Sequence, residues 1–160
     1  MMLIGIGTDI HRLVAGRPLM IGGTRIESDL GAQGHSDADV LLHAATDAIL
    51  GALGLGDIGT HFPDNDAKWR DAASIQFLRY AAGLAREMGY SVENLDSTID
   101  LERPKLRPYI DEMRSVIADA VGVSAERVSV KAKTGEMVDA VGHGLAIRAT
   151  AIVLLIREAA

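Results

Sequence analysis

Hydrophobic and polar positions alternate near both ends of the chain and in two stretches between them. Because side chains two residues apart on a strand share a face, this alternation predicts strands over residues 3–11, 91–101, 127–133 and 145–156. Two shorter apolar runs, at residues 19–21 and 25–26, flank the pair Gly22-Gly23. Adjacent glycines between two such runs are typical of a tight turn, so this segment is predicted to be a hairpin.

Longer periodic stretches between the strands predict three helices. They cover residues 36–53, 72–88 and 109–121. The first is expected to begin at Ser36, which forms a capping box with Asp39, and the second is expected to be capped by Asp71. The polar stretch 57–70 is predicted to be a flexible flap, and 135–144 a glycine-rich loop.

Strands and helices interleave without a repeat or a linker, so residues 1–160 are predicted to form a single domain. The expected fold class is α/β, as an α+β two-layer sandwich. It combines a mixed sheet of about four strands, a small hairpin and three helices on one sheet face. Along the last strand, Ala146, Arg148 and Thr150 alternate with Ile147, Ala149 and Ala151, and both sets contain small or apolar members. The uncovered face is therefore expected to bind a partner, most simply another copy of the chain.

Composition excludes several classes of function. The chain has no cysteine, which excludes disulfides, thiol nucleophiles and thiolate metal sites and suits a cytoplasmic location. The formal net charge is −6, aromatic residues make up 4%, and no basic run occurs, so nucleic-acid binding is not expected. The apolar run 149–156 is too short to span a bilayer, so no membrane segment is expected either.

A metal site in this chain must use His, Asp and Glu. Asp9 and His11 lie two apart on a predicted strand and so share a face. His43 lies in the first predicted helix, on one stripe with Asp39 and Asp47. Two His and one Asp can form a catalytic zinc shell with an open fourth position, and a ligating His usually has a carboxylate behind it. The spacing leaves open whether Asp9 or Asp39 is the ligand.

Other polar residues suggest a phosphate-containing substrate. His35 and Ser36 precede a helix N-terminus, which favours anions. Thr134 could donate to a phosphate, Glu136 could hold Mg²⁺ or Mn²⁺, and Lys105 could add positive charge. Carboxylates in the flap could bind hydroxyl groups of a sugar or polyol. Each residue taken singly also has an ordinary explanation as a cap, a solvated turn or a surface charge.

Several motifs in register resemble the 2-C-methyl-D-erythritol 2,4-cyclodiphosphate synthase family of non-mevalonate isoprenoid biosynthesis. They are Gly7-Thr8-Asp9-Ile10-His11-Arg12, the stretch Gly34 to Gly59, His61-Phe62-Pro63-Asp64, Arg103-Pro104-Lys105 and Lys131-Ala132-Lys133-Thr134-Gly135-Glu136. The resemblance implies Asp9, His11 and His43 as zinc ligands and Glu136 as a ligand of a second ion, Mg²⁺ or Mn²⁺. It also implies catalytic roles for Glu136 and for Thr134, which would bind a substrate phosphate.

The same resemblance implies the substrate contacts. His35 and Ser36 would hold the terminal phosphate, Asp57 and Gly59 the ribose hydroxyls, and Asp64 would lie over the methylerythritol. Residues 101–107, which include Lys105, would frame the cytosine together with Ala132 and Lys133. Family members are homotrimers whose sites lie between neighbouring subunits. Two departures stand out: His143 replaces an Arg common in the family, and Lys133 replaces a Thr found in some members.

The implied reaction cyclises 4-diphosphocytidyl-2-C-methyl-D-erythritol 2-phosphate with release of CMP, a small-molecule substrate reaction of the phosphorus–oxygen lyase class. Such a reaction needs no general base, and the sequence offers no convincing Ser–His–Asp nucleophile set. Two alternatives remain open from the residues. One is a metal-dependent phosphohydrolase acting on a nucleoside diphosphate substrate, and the other is a trimeric binding module with a purely structural zinc ion.

Overall fold

A computed structural model describes residues 1–158 and is built around a mixed five-stranded sheet. The strands are β1 (Met2–Ala15), β2 (Leu19–Ile21), β3 (Thr24–Ile26), β4 (Leu30–Ala32), β5 (Tyr90–Asp100), β6 (Val128–Lys133) and β7 (Ala146–Arg157). The sheet order is β4-β1-β7-β5-β6, with β5 and β6 parallel and the other neighbours antiparallel. Strands β2 and β3 form the predicted hairpin around Gly22 and Gly23.

Three longer helices cover one face of this sheet, as predicted. The helices are α1 (Val40–Leu53), α2 (Ile58–His61), α3 (Ile75–Glu87), α4 (Ile110–Val121) and α5 (Asp139–Gly142). Helix α1 packs on β1 and β7, α3 packs beside α1 and over β5, and α4 packs beside α3 and over β6. The expected α+β sandwich is confirmed, with one more sheet strand than predicted. The additional strand is β4, which forms because β1 continues to Ala15 and pairs there with Leu30.

Two glycines of β1 allow α1 to lie directly against the sheet. A Cβ atom on Gly5 would lie 1.9 Å from the carbonyl oxygen of Ala48, and one on Gly7 would lie 2.0 Å from that of Ala44. Any larger residue would therefore push α1 away from β1. This close packing brings the middle of α1, where His43 lies, against the part of β1 that carries Asp9 and His11.

The opposite face of the sheet is uncovered, and β1 and β7 present apolar side chains there. Ile4 is 73% exposed and Ile6 is 63% exposed, and Ile10 and Ile152 are exposed on the same face. The predicted apolar residues on this second face are therefore found on β1 and β7, while the ion pairs Arg148–Asp100 and Lys131–Asp96 lie on the same face. Among residues 1–158, none of the helices has the length and apolar character that crossing a membrane requires.

Two helix starts differ from the prediction. Helix α1 begins at Val40 rather than Ser36, because Ala38 has a left-handed backbone (φ 55°) and the Asp39 carboxylate accepts the Leu42 N–H. Helix α3 begins at Ile75 rather than at residue 72. Asp71 is also left-handed (φ 56°), and it is the carboxylate of Asp37 that accepts the N–H of Ser74.

The two predicted loops contain short helices. Residues 57–70 hold α2 and a 3₁₀ turn at Ala67–Trp69. Phe62 in this flap packs on Phe77 of α3 at 4.3 Å between ring centroids, and Trp69 and Tyr80 pack edge-on against Phe62. The flap is therefore held against α3 by an aromatic cluster. Residues 135–144 contain α5.

Candidate metal centre and substrate pocket

Asp9, His11 and His43 meet at the contact between β1 and α1. Oδ2 of Asp9 lies 2.8 Å from Nε2 of His11 and 2.9 Å from Nδ1 of His43, and the two nitrogens are 3.2 Å apart. Asp9 and His11 are brought together by strand alternation, and His43 by the packing of α1. Among residues 1–158, no other set of three His, Asp or Glu side chains clusters in this way.

This triangle has the dimensions of a metal ligand set. Neighbouring ligand atoms of a tetrahedral ion with bonds of 2.0–2.1 Å lie about 3.3 Å apart, close to the 2.8–3.2 Å seen here. Hydrogen bonds alone account for it poorly, because each ring nitrogen directs its proton or lone pair along a single line. One central ion could bind all three atoms and would keep a fourth position open. Catalytic zinc sites have this arrangement, whereas structural zinc sites have four protein ligands. The Asp–His–His group can bind a metal.

The electrostatics favour an anionic Asp9. Burial raises the pKa of Asp9, but the hydrogen bonds with His11 and His43 lower it and outweigh burial. The pKa of Asp9 therefore lies well below its ordinary value of 3.8. For His43, burial lowers the pKa and the hydrogen bond to Asp9 raises it, with the net result above the ordinary 6.5. A cation at this position, whether a proton or a metal ion, is therefore stabilised by Asp9.

The carboxylates expected behind His43 are engaged elsewhere. Asp39 is fully buried and accepts hydrogen bonds from the backbone N–H groups of Gly22, Gly23 and Leu42. Asp47 accepts the N–H of Ile58 at 2.7 Å. The expectation that the Asp39–His43–Asp47 stripe supports the metal ligand is therefore wrong, and Asp39 does not join the triangle.

Two serine hydroxyls occupy the position behind His43 instead. Nε2 of His43 lies 2.8 Å from Oγ of Ser74 and 3.1 Å from Oγ of Ser36. Ser74 belongs to the start of α3 and has no local sequence signal that links it to His43. With Asp9 on Nδ1 and Ser74 on Nε2, His43 also completes a Ser–His–Asp arrangement that the sequence did not indicate.

A cavity of about 510 Å³ opens beside the triangle. Its lining includes His11, His35, Ser36, His43, Gly59, Asp64 and the flap aromatics Phe62 and Trp69. The structure thus brings four predicted substrate residues, namely His35, Ser36, Gly59 and Asp64, to the metal triangle. Asp57 is exposed and does not line the cavity; its carboxylate caps α2 and accepts from the N–H and hydroxyl of Thr60, which lower its pKa.

The cavity walls are held by hydrogen bonds from distant segments. Nε2 of His35 donates to the carbonyl of Asp66 at 2.9 Å, which ties the flap to the segment before α1. Arg17 donates to the carbonyl of Ser36 at 2.9 Å. These contacts fix the backbone that carries His35 and Ser36.

A second cavity, of about 400 Å³, lies between β6 and the start of α4. Residues 101–107 contribute Leu101, Pro104, Lys105, Leu106 and Arg107 to its lining, and β6 and the residue after it contribute Ala132, Lys133 and Thr134. It shares no lining residue with the first cavity. Thr134 donates its hydroxyl to Glu136 at 2.6 Å, and Glu136 lies outside the metal triangle.

The sequence profile of the YgbB family matches residues 2–156. The chain belongs to the YgbB family.

Similar proteins carry a consistent name. The 2-C-methyl-D-erythritol 2,4-cyclodiphosphate synthase of Salinibacter ruber is 54% identical over 150 residues, which cover 94% of this chain and 96% of the relative. The relative from Symbiobacterium thermophilum, which bears the same name, is 53% identical and covers 96% of this chain and 98% of its own length.

Solved structures agree with the fold. A 2C-methyl-D-erythritol-2,4-cyclodiphosphate synthase in a CDP-bound form superposes with a TM-score of 0.88 at 40% identity, covering 96% of this chain and 99% of that chain. The bifunctional IspDF of Campylobacter jejuni gives a TM-score of 0.95 at 37% identity over 99% of this chain, which spans 43% of that longer protein. The predicted family and fold are confirmed.

Proposed function

We propose that this chain converts 4-diphosphocytidyl-2-C-methyl-D-erythritol 2-phosphate to 2-C-methyl-D-erythritol 2,4-cyclodiphosphate and CMP. An oxygen of the 2-phosphate attacks the β-phosphorus of the substrate's own diphosphate. The bond from that phosphorus to the bridging oxygen breaks, and CMP leaves with the electron pair. The predicted enzyme class, a phosphorus–oxygen lyase of non-mevalonate isoprenoid biosynthesis, is confirmed by the named relatives.

The observation that carries the proposal is the position of the metal triangle: His11 and His43 line the same cavity as the predicted phosphate ligands His35 and Ser36. Asp9, His11 and His43 would hold a zinc ion, since two imidazoles and one carboxylate at these separations suit zinc. Glu136 would hold a second divalent ion, Mg²⁺ or Mn²⁺, which prefers oxygen ligands. When bound, the two ions supply positive charge that reduces repulsion within the anionic substrate.

The protein's own residues orient the substrate. His35 and Ser36, fixed by their links to Asp66 and Arg17, would bind the terminal phosphate. Thr134 would donate to a phosphate oxygen. The attacking phosphate is already an anion, so no general base is needed. The protein must still hold the flexible substrate in a curled conformation. Correct orientation of the reacting groups can lower the activation barrier by about 7–11 kcal/mol.

The remaining assigned residues would recognise the other parts of the substrate. Asp57 and Gly59 would meet the ribose, and Asp64 of the flap would lie over the methylerythritol. The second cavity, with Lys105, Ala132 and Lys133, would bind the cytosine, and the CDP-bound relative supports a cytidine diphosphate ligand.

A homotrimer with shared sites is part of the proposal. The uncovered sheet face exposes Ile4, Ile6 and Ile10, which a second copy would bury. The two cavities share no residue, as expected if one subunit supplies the metal half and its neighbour the cytidine half. We also propose a cytoplasmic location, in keeping with the cysteine-free sequence.

Phosphorus NMR of the product tests the reaction. We expect the cyclic diphosphate and CMP in equal amounts, with no product from the His43→Gln variant. The phosphohydrolase alternative, which the named relatives do not favour, would release CMP without a cyclic product, and that result would overturn the proposal. A structural zinc module would be closed by a fourth protein ligand, whereas residues 1–158 bring only three together here.

A further inference from the structure

His43 is the end point of a buried hydrogen-bond chain that runs away from the metal triangle. Its Nε2 lies 2.8 Å from Oγ of Ser74, and Ser74 Oγ in turn makes a short hydrogen bond with a carboxylate oxygen of Asp37. Ser74 is fully buried. The chain joins the middle of α1, the start of α3 and the segment before α1, so three separate parts of the sequence converge behind one imidazole.

The chemistry of Asp37 fixes the direction of this chain. An ionised carboxylate only accepts hydrogen bonds, and Asp37 accepts from Ser74 twice, from its hydroxyl and from its N–H at 3.0 Å. The single hydroxyl proton of Ser74 is therefore used. Towards His43, the Ser74 oxygen can only accept, so Nε2 of His43 carries a proton. The neutral ring then has its lone pair on Nδ1, which faces Asp9 and His11.

We propose that Ser74 and Asp37 are positioning residues of the metal centre, which hold His43 in the Nε2–H tautomer and orient Nδ1 towards the ion. The proposal rests on the metal centre put forward above. Outer hydrogen-bond partners of this kind fix ring orientation and raise the electron donation of a ligating His, and their loss typically weakens metal binding 10–100-fold. Here the partner carboxylate acts through a serine hydroxyl instead of bonding the imidazole directly.

The same contacts argue against a nucleophilic Ser74. A serine nucleophile donates its proton to the histidine and faces the substrate. Ser74 instead donates to Asp37 and has no exposed surface. The Ser74–His43–Asp9 arrangement therefore resembles a catalytic triad in its distances but has the opposite hydrogen-bond direction at serine.

Ser36 provides a matched control. Its hydroxyl is also close to Nε2 of His43, at 3.1 Å, but it accepts from the N–H of Ala38 and lines the substrate cavity. It also lies 3.4 Å from the Ser74 hydroxyl, but among the described residues no hydrogen bond joins it directly to Asp37. If proximity of any hydroxyl were sufficient, loss of Ser36 and loss of Ser74 would affect metal binding equally.

The experiment measures zinc affinity by competition with a chromophoric chelator in wild type, Ser74→Ala, Asp37→Asn, Ser36→Ala and the Ser74→Ala/Asp37→Asn double variant. We expect a 10–100-fold loss in Ser74→Ala and a loss in the same direction in Asp37→Asn. The double variant should match Ser74→Ala, because Ser74 is the group whose hydrogen bonds join Asp37 to the His43 ring, whereas the contact of Asp37 with the N–H of Asp39 does not reach that ring. Ser36→Ala should stay within about threefold of wild type, a difference too small for loss of such a partner. The absorption spectrum of the Co²⁺-loaded protein should shift in Ser74→Ala and not in Ser36→Ala.

The outcomes separate this inference from the metal centre itself. Wild-type affinity in Ser74→Ala, or losses that multiply in the double variant, would overturn the positioning role while leaving the centre intact. Failure of wild type to bind zinc would overturn both. A lowered melting temperature with unchanged zinc affinity would show that the contact only anchors α3. If Ser74→Ala does not fold, Asp37→Asn decides by the same criterion: weakened zinc binding supports the role, and unchanged binding overturns it.

Discussion

Oδ2 of Asp9 and Nδ1 of His43 lie 2.9 Å apart, although the two residues belong to different elements and are separated by 34 positions in the sequence. The contact depends on α1 lying directly on β1 at Gly5 and Gly7. It also links the protonation of His43 to the stability of the fold, since Asp9 raises the pKa of His43.

This link predicts the pH dependence of the metal-free protein. A proton binds His43 more tightly in the folded state than in the unfolded state. The resulting stabilisation is complete below the unfolded pKa, near 6.5, and is lost as pH rises through the higher folded pKa. The lowered pKa of Asp9 acts in the opposite sense, and its contribution is lost only in acid, below 3.8.

Urea unfolding of chelator-treated protein over a series of pH values measures this effect. We expect the unfolding free energy of wild type to fall as pH is raised above 6.5, and that of His43→Gln to fall less. Equal slopes for the two proteins would show that His43 does not carry the coupling.

Asp47 is predicted to support the flap that covers the cavity. Its carboxylate accepts the N–H of Ile58 at the start of α2. In Asp47→Ala this hydrogen bond is lost, at a cost of about 1 kcal/mol, and the backbone of Asp57 and Gly59 is released. We expect a higher KM with unchanged zinc content. Asp47→Asn keeps an acceptor oxygen and serves as the control; a KM equal to that of Asp47→Ala would contradict the positional explanation.

Glu136 is predicted to bind the second divalent ion. Glu136→Gln removes one negative charge from an exposed oxygen ligand. The concentration of Mg²⁺ or Mn²⁺ that gives the half-maximal rate should rise, while the zinc content should not change. Glu112→Gln, on the exposed side of α4, is the matched control. A metal-activation curve identical to that of wild type would reject the role of Glu136.

Complementation tests whether neighbouring subunits share the site. His43→Gln lacks a metal ligand, and Pro104→Asp/Lys105→Asp disrupts the second cavity, so each homotrimer should be inactive. Co-refolding should yield mixed trimers with one intact metal half against one intact cytidine half, and therefore about one third of wild-type activity per mixed trimer. Inactive mixtures, with mixed trimers confirmed by mass spectrometry, would place both halves on one chain.

Local sequence rules predicted most of the fold. Alternation identified the central strands, Gly22-Gly23 identified the hairpin, and α4 ends at Val121 as predicted. Errors arose where a distant contact decided the outcome. Asp71 could not cap α3 because its backbone is left-handed and Asp37 already bonds Ser74. Strand β4 is short and becomes a strand only by pairing with the end of β1.

The candidate site was also predictable only where local sequence patterns, and not distant contacts, determine it. Strand period placed Asp9 beside His11, the first predicted helix offered His43 as a third ligand, and the family motifs favoured Asp9 over Asp39. The stripe of Asp39, His43 and Asp47 suggested the wrong supporting carboxylates, because each Asp satisfies backbone N–H groups of another segment. Ser74 lies 31 positions from His43, so no helical or strand period could have related them.

Asp9, His11 and His43 are predicted to hold the metal on which the reaction depends. The most direct test is the zinc content of purified protein, determined by mass spectrometry of the metal, in wild type, His43→Gln and the control His143→Gln, which alters an exposed histidine away from the triangle. We predict one zinc ion per chain in wild type and in His143→Gln. His43→Gln should contain none and should keep the wild-type circular dichroism spectrum. Full zinc occupancy in His43→Gln would contradict the role of His43 as a metal ligand.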